Sequence, residues 1–174
     1  MTQLNARPIR SRRSNLAVPG CSVRMLTKSK ILQTDQVFLD LEDSVAPLAK
    51  EGARDNVVSA LNEGGYGTRV RSVRINGIGT HWAADDLDVV VRGAGSNLDC
   101  IMLPKVSTPA DVFWLTERLD ALELDLGLAP ETIGIEVQIE DALGLVNVDA
   151  IAASSARIET IIFGPADFMA SLNM

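Results

Sequence analysis

Six short apolar runs, each followed by a stretch of helical periodicity, constrain this chain more than any other feature of its sequence. Asn15 to Val18 is closed by Pro19-Gly20. Gln36 to Leu41, Arg71 to Asn76, Cys100 to Leu103, Ile133 to Ile139 and Thr160 to Phe163 follow in turn. Runs of aliphatic and β-branched residues bounded by turn formers read as strands. Between them, Ser22 to Leu32, Leu48 to Leu61, Asp85 to Val91 and Leu143 to Ala153 space their apolar residues three and four apart, as helices do. A further helix opens at Thr108-Pro109-Ala110-Asp111, with an N-cap hydroxyl, a proline in the first turn and an acid three residues on. Val112, Leu115, Leu119 and Leu122 give it an apolar stripe. Asn76-Gly77 is followed by a helical pattern and closes no hairpin. Repeated βα units imply parallel strands with right-handed crossovers.

Two architectures satisfy that pattern, an open doubly wound sheet and a (β/α)8 barrel. A barrel takes ~250 residues; the 174 here would supply about six of its eight units. Neither a GxGxxG nor a Walker pattern occurs, which weakens the nucleotide-binding reading of an open sheet. Residues 1–13 carry Arg7, Arg10, Arg12 and Arg13 without an apolar stretch behind them, and read as a short solvated basic arm rather than a secretory signal. Residues 14–174 read as one unit, with no domain boundary inside it. With 47% apolar residues the chain can bury a sizeable core, yet it has no 18-residue apolar run to span a membrane. Its net charge of −7 gives no general attraction for nucleic acid or anionic lipid. Cys21 and Cys100 lie far apart with no CxxC, which fits a reducing cytoplasm better than a disulfide or zinc framework.

Parallel α/β folds do their chemistry beyond the carboxyl ends of the strands. Those ends are unusually polar here: Asp40, Glu42 and Asp43 after the second strand, Arg74 and Asn76 at the third, Lys105 after the fourth, Glu140 after the fifth, Asp167 after the sixth. Glu140 and Asp167 end neighbouring strands. Two carboxylates that close would either hold a hard divalent cation or each cap the helix that follows, and position alone leaves both open. Arg74 offers a fixed fork of donors to an anionic substrate or to Glu42 and Asp43. Lys105 reads as a salt-bridged lysine in preference to a Schiff-base amine. Lys50 and Arg54 read as a charge network at a helix start, and Arg69 and Arg71 as the solvated entrance of a strand. Arg24 and Lys28 lie one turn apart on the first helix, where a solvated face is the simplest reading.

Seven segments then recur together in one known family: residues 14–20 (SNLAVPG), 24–26 (RML), 39–45 (LDLEDSV), 73–76 (VRIN), 102–105 (MLPK), 135–140 (IEVQIE) and 163–167 (FGPAD). From about Arg13 to Met174 the chain resembles the HpcH/HpaI aldolase and citrate lyase β-subunit family, above all its lyases for malyl-CoA and β-methylmalyl-CoA. The resemblance implies a (β/α)8 barrel in trimers or hexamers, with magnesium (or manganese) at the strand carboxyl ends. It makes Glu140 and Asp167 the metal ligands, Arg74 the substrate-binding and catalytic arginine, Arg24 and Lys28 the contacts to CoA phosphates, and Glu42 and Asp43 the supporting acidic loop. The implied reaction cleaves a β-hydroxyacyl-CoA to an α-keto acid such as glyoxylate and an acyl-CoA, or condenses them in reverse. The alternatives are a citrate or citramalyl thioester lyase subunit and a non-catalytic CoA-ester-binding relative. The family's general acid/base, an aspartate of a C-terminal segment, is expected beyond residue 174.

Overall fold

The computed structural model describes residues 9–174 and alternates strand and helix throughout. Its strands are β1 (Asn15–Pro19), β2 (Gln36–Asp40), β3 (Val70–Arg74), β4 (Cys100–Leu103), β5 (Gly134–Ile139) and β6 (Ile158–Phe163). The helices are α1 (Val23–Ser29), α2 (Lys50–Glu63), α3 (Ala83–Ala94), α4 (Pro109–Leu126), α5 (Ala142–Val146), α6 (Val148–Ala152) and α7 (Pro165–Ser171). All strand pairs are parallel, and the sheet order is β1-β2-β3-β4-β5-β6. A doubly wound sheet reverses its strand order at a switch point; this one never does. Contacts across the concave face show that the sheet is curled. Gln36 on β2 donates to Glu136 on β5 at 2.7 Å, although strands three places apart in a flat sheet would lie ~14 Å apart. The architecture is therefore six successive units of a (β/α)8 barrel.

Side-chain alternation divides the sheet into two faces. Leu39, Leu41, Val73, Ile75, Ile101, Leu103, Ile135, Val137 and Ile139 point outward, where Val57, Leu61, Leu87, Val90, Leu115 and Leu119 of the helices bury them. Each such side chain contributes roughly 1.5–3 kcal/mol of burial. Gln36, Asp40, Ser72, Arg74 and Glu136 point into the barrel instead, with Glu140 just past β5, so these polar residues form the inward set while Arg71 faces outward to Asp99. Buried Arg157 braces the outer layer: its Nη2 bonds Glu123 Oε2 at 2.6 Å, its Nη1 the Ile133 carbonyl at 2.9 Å, and Asp120 takes Nε and Nη2.

Several local expectations shift. The helix at Thr108 forms as read, with the backbone N–H of Thr108 donating to Asp111 at 2.8 Å. The stretch from Leu143 to Ala153 breaks into two short helices at Asn147, whose side-chain amide is drawn to the Ser107 carbonyl at 2.9 Å. A further helix, α7, follows β6. β3 ends at Arg74, because the next residues turn outward and Asn76 gives its N–H to Asp86 at 2.9 Å. Arg7 lies outside the described residues and Arg13 is solvated as read, 84% exposed, but Arg10 and Arg12 depart from the solvated reading. Arg12 enters the barrel floor and bonds Glu136 at 2.7 Å and Glu159 at 2.6 Å, while Arg10 reaches Glu159 at 2.6 Å. Arg69 and Arg71 are also spoken for: Arg69 donates to backbone carbonyls of the loops around it, and Arg71 pairs with Asp99 at 2.8 Å.

Candidate active site

Strand register sets the first pair at the barrel mouth. Asp40 and Arg74 end β2 and β3 as direct neighbours on the inward face. Asp40 takes Arg74 Nε at 2.7 Å and Nη2 at 2.8 Å, a two-point clamp on the guanidinium. Burial alone would push the Asp40 carboxyl up. The Arg74 bonds and charge, helped by Ser44 and the Glu42 amide, outweigh burial and hold it below its ordinary range. The Asp40 clamp is the main support of this arginine; the sequence reading named Glu42 and Asp43 for it. Glu42 contributes at 3.3 Å from Nη1, and Asp43 turns to Lys105. The in-register positions of Asp40 and Arg74 were the signal available in the sequence.

Lys105 follows β4 with a left-handed backbone, φ +55°. Its ammonium lies 2.7 Å from Glu42 Oε1, 3.5 Å from Asp43 and 3.5 Å from Asp167. Burial would lower its pKa, but those carboxylates raise it above its ordinary value. A Schiff base needs a neutral amine, so this environment opposes that chemistry. The backbone N–H of Lys105 donates to Glu140 Oε2 at 2.9 Å. Glu140 does not cap α5; Asp141 does, accepting from the Gly144 N–H at 2.6 Å. Burial, with the charges of Glu42 and Asp167, lifts the Glu140 carboxyl above its usual range. Gly164 makes this packing possible, because a Cβ there would stand 2.4 Å from Glu140 Oε1.

Behind the mouth, Lys50 donates to the Leu41 and Glu42 carbonyls at 2.9 Å each and to Asn76 at 2.7 Å, fixing the acidic loop. Arg54 pairs with Asp86 at 2.7 Å, so both residues form the charge network read from the sequence. Asn76 joins that network and does not share the inward face with Arg74. A cleft of about 300 Å³ opens beside the cluster, between Glu42, Asp43, Trp82 and Lys105. Arg24 and Lys28 stand exposed on α1, with no ion pair to other described residues.

Five carboxylates thus face two cations. Glu42 is 5% exposed, its Oε2 accepts no hydrogen bond, and burial raises its pKa. Among the described residues no three acidic, His or Cys side chains converge on one point. Magnesium, however, needs only one or two protein carboxylates, and takes water and substrate oxygens for the rest. The surplus of negative charge fits such an ion, and so does Glu42 Oε2, which has the Arg74 ion pair at 3.3 Å but no hydrogen bond.

Fold and mouth together define a (β/α)-barrel protein whose acidic, arginine-bearing site lies at the carboxyl ends of its strands. Residues 13–174 match the HpcH/HpaI aldolase/citrate lyase family, and the chain belongs to it. It is 41% identical over 170 residues to the L-malyl-CoA/beta-methylmalyl-CoA lyase of Cereibacter sphaeroides, covering 97% of this chain and 53% of that protein. The citrate lyase subunit beta of Escherichia coli is 36% identical over 169 residues, with 97% and 55% covered. Among solved structures, CitE of Mycobacterium tuberculosis in complex with magnesium, acetoacetate and coenzyme A matches with a TM-score of 0.67 at 27% identity, covering 94% of this chain and 53% of that one. The chain spans about half the length of the curated relatives it matches. No helix among the described residues is long and apolar enough to cross a membrane.

Proposed function

We propose that the protein is a magnesium-dependent carbon–carbon lyase for a β-hydroxyacyl-CoA of the malyl-CoA or β-methylmalyl-CoA type. The observation that carries this reading is the Arg74 guanidinium, clamped by Asp40 beside uncompensated carboxylates, in a chain 41% identical to an L-malyl-CoA/beta-methylmalyl-CoA lyase. Glu140 and Asp167 would hold the ion, whose positive charge would favour transfer of the substrate's β-hydroxyl proton to a general base. Asp40 occupies Nε and one side of Nη2 and Glu42 stands 3.3 Å from Nη1, so the guanidinium N–H groups these two carboxylates leave unfilled are the ones offered to substrate. As the Cα–Cβ bond breaks, its electron pair passes into the thioester, and Arg74 stabilises the enolate oxygen that develops. An α-keto acid such as glyoxylate leaves, and a proton delivered to the enolate carbon completes the acyl-CoA. Asp40 and Lys50 hold Arg74 and the acidic loop, and the backbone N–H of Lys105 holds Glu140, during these steps. Arg24 and Lys28 are assigned to CoA phosphates, and the assembly to a trimer or hexamer.

The test is cleavage of malyl-CoA, β-methylmalyl-CoA and citramalyl-CoA, with magnesium and with EDTA, by this chain and by its full natural reading frame. EDTA-sensitive cleavage is expected, lost by about 10²-fold or more in Glu140→Ala or Asp167→Ala. Cleavage by the longer product alone would place the general acid/base outside residues 1–174. Activity only on an acyl-carrier thioester would favour the citrate lyase β-type reading instead. No cleavage by either product would remove the lyase assignment.

A further inference from the structure

Lys105 touches the ends of three other strands. Its ammonium meets Glu42 and Asp43 after β2 and Asp167 after β6, while its own N–H holds Glu140 after β5. It does so from a left-handed backbone that a β-carbon disfavours, and only two other non-glycine described residues share that conformation, Glu131 and Asn173. Strain of this kind persists only where surrounding contacts impose it. The side chain is 47% exposed, and only Glu42 lies at full hydrogen-bond distance. The contacts to Asp43 and Asp167 are looser, at 3.5 Å each. A flexible four-carbon stem that exposed can leave Asp167 without disturbing the core.

We infer that Lys105 is a positioning residue that stands in for the divalent cation: its ammonium supplies the counter-charge for Asp167 and the acidic loop before an ion binds, and gives up Asp167 when one does. The inference rests on the assignment of Glu140 and Asp167 as cation ligands. It accounts for the lack of a convergent acidic group among the described residues, since Asp167 is drawn toward the lysine. It also separates the two halves of one residue. The backbone N–H keeps Glu140 oriented, and the side chain lowers cation affinity by competing for its partner. A lysine that merely braced the mouth would have the opposite effect, because its loss would let the carboxylates splay and weaken binding.

Manganese titration of the full chain, followed by the electron paramagnetic resonance of free Mn²⁺ at one neutral pH, distinguishes these cases. Lys105→Met removes the charge. Lys105→Gly removes it too, keeps the N–H to Glu140 and relieves the left-handed backbone, so it guards against a folding defect. Both should bind Mn²⁺ roughly three- to tenfold tighter than the parent, with Lys105→Arg close to the parent, as expected for loss of one nearby, partly screened positive charge. Binding by the variants alone would support the inference equally. Unchanged or weaker binding in Met and Gly, with normal binding in the parent, overturns the inference and leaves the cation assignment standing. Absence of binding in every form, or undiminished binding in Glu140→Gln, overturns both.

Discussion

The barrel is polar at both ends, and the two ends are built on different charge arithmetic. On the floor, Arg12 divides its guanidinium between Glu136 and Glu159, and Arg10 adds a second bond to Glu159. Gln36 and Ser72 satisfy the other Glu136 oxygen at 2.7 and 2.9 Å. Each floor carboxylate therefore meets an arginine. At the mouth five carboxylates share Arg74 and Lys105, and one buried oxygen of Glu42 accepts no hydrogen bond. Burying charge costs several kcal/mol per ion unless partners compensate it. The floor compensates within the chain. The mouth leaves a deficit that an added positive charge would fill, which is the arrangement expected where a barrel does its chemistry.

The sharpest way to break that contrast is at the floor. Arg12→Ala would leave Glu136 wholly buried without its arginine, and would remove one of the two described arginines from Glu159. Breaking a buried pair by removing one partner costs about 3–5 kcal/mol, and since Arg12 is 16% exposed the lower end is expected. Urea unfolding monitored by circular dichroism reads this directly. Arg13 is the control: its pair with Asp35 lies on the surface, and Arg13→Ala should barely move the transition. Equal losses in the two variants would mean that the floor network contributes no more than a surface ion pair.

A second test lies within the mouth, where two carboxylates two residues apart respond oppositely to pH. Asp40 holds its proton less readily in the folded chain than in the unfolded one, so its contribution is present above about pH 4 and is lost as the pH falls through its depressed value. Glu42 holds its proton more readily when folded. Its contribution is complete below about pH 4 and is lost as the pH rises through its raised value. Asp40→Asn should therefore cost about 1.5–3 kcal/mol near pH 7, and progressively less in acid. Glu42→Gln should gain on the parent as the pH rises. Unfolding free energies measured across that range without divalent cations check both signs; slopes of the same sign would show that the mouth is as well compensated as the floor.

Local and distant information divided along the same lines. The six strands and most of the helices were legible because periodicity and turn formers act within a few residues, and the acids at the strand ends followed from them. The Asp40–Arg74 pair was accessible in principle from strand register, but it spans 34 residues and was assigned to Glu42 and Asp43 instead. The floor was not legible at all. Arg12 meets partners 124 and 147 residues away, and nothing in a run of arginines near the start of the chain says that it will close the base of a barrel. The break at Asn147 had a similar cause, a side-chain bond to Ser107 that competes with helix continuation. The left-handed backbone of Lys105 also had no local signal, since neither proline before it nor valine after it demands that conformation.

Two glycines offer the finest measure of the difference between the ends. A Cβ at Gly134 would stand 2.3 Å from Glu159 Oε1 and 3.0 Å from Cys100 Sγ, and one at Gly164 would stand 2.4 Å from Glu140 Oε1. Neither has a left-handed φ, so the collision is the main effect of alanine. Glu159 cannot retreat without breaking its bonds to Arg10 and Arg12. Among the described contacts Glu140 is tied at one oxygen, by the Lys105 amide, and can yield toward the open mouth. Overpacking costs about 1–3 kcal/mol; Gly134→Ala should fall near the top of that range and Gly164→Ala near the bottom. The second variant should instead show its effect in Mn²⁺ affinity, because the carboxylate that moves is the one assigned to the cation. If Gly164→Ala proves the more destabilising, the mouth is the rigid end of the barrel, and the account of Glu140 as a group still awaiting its partner fails with it.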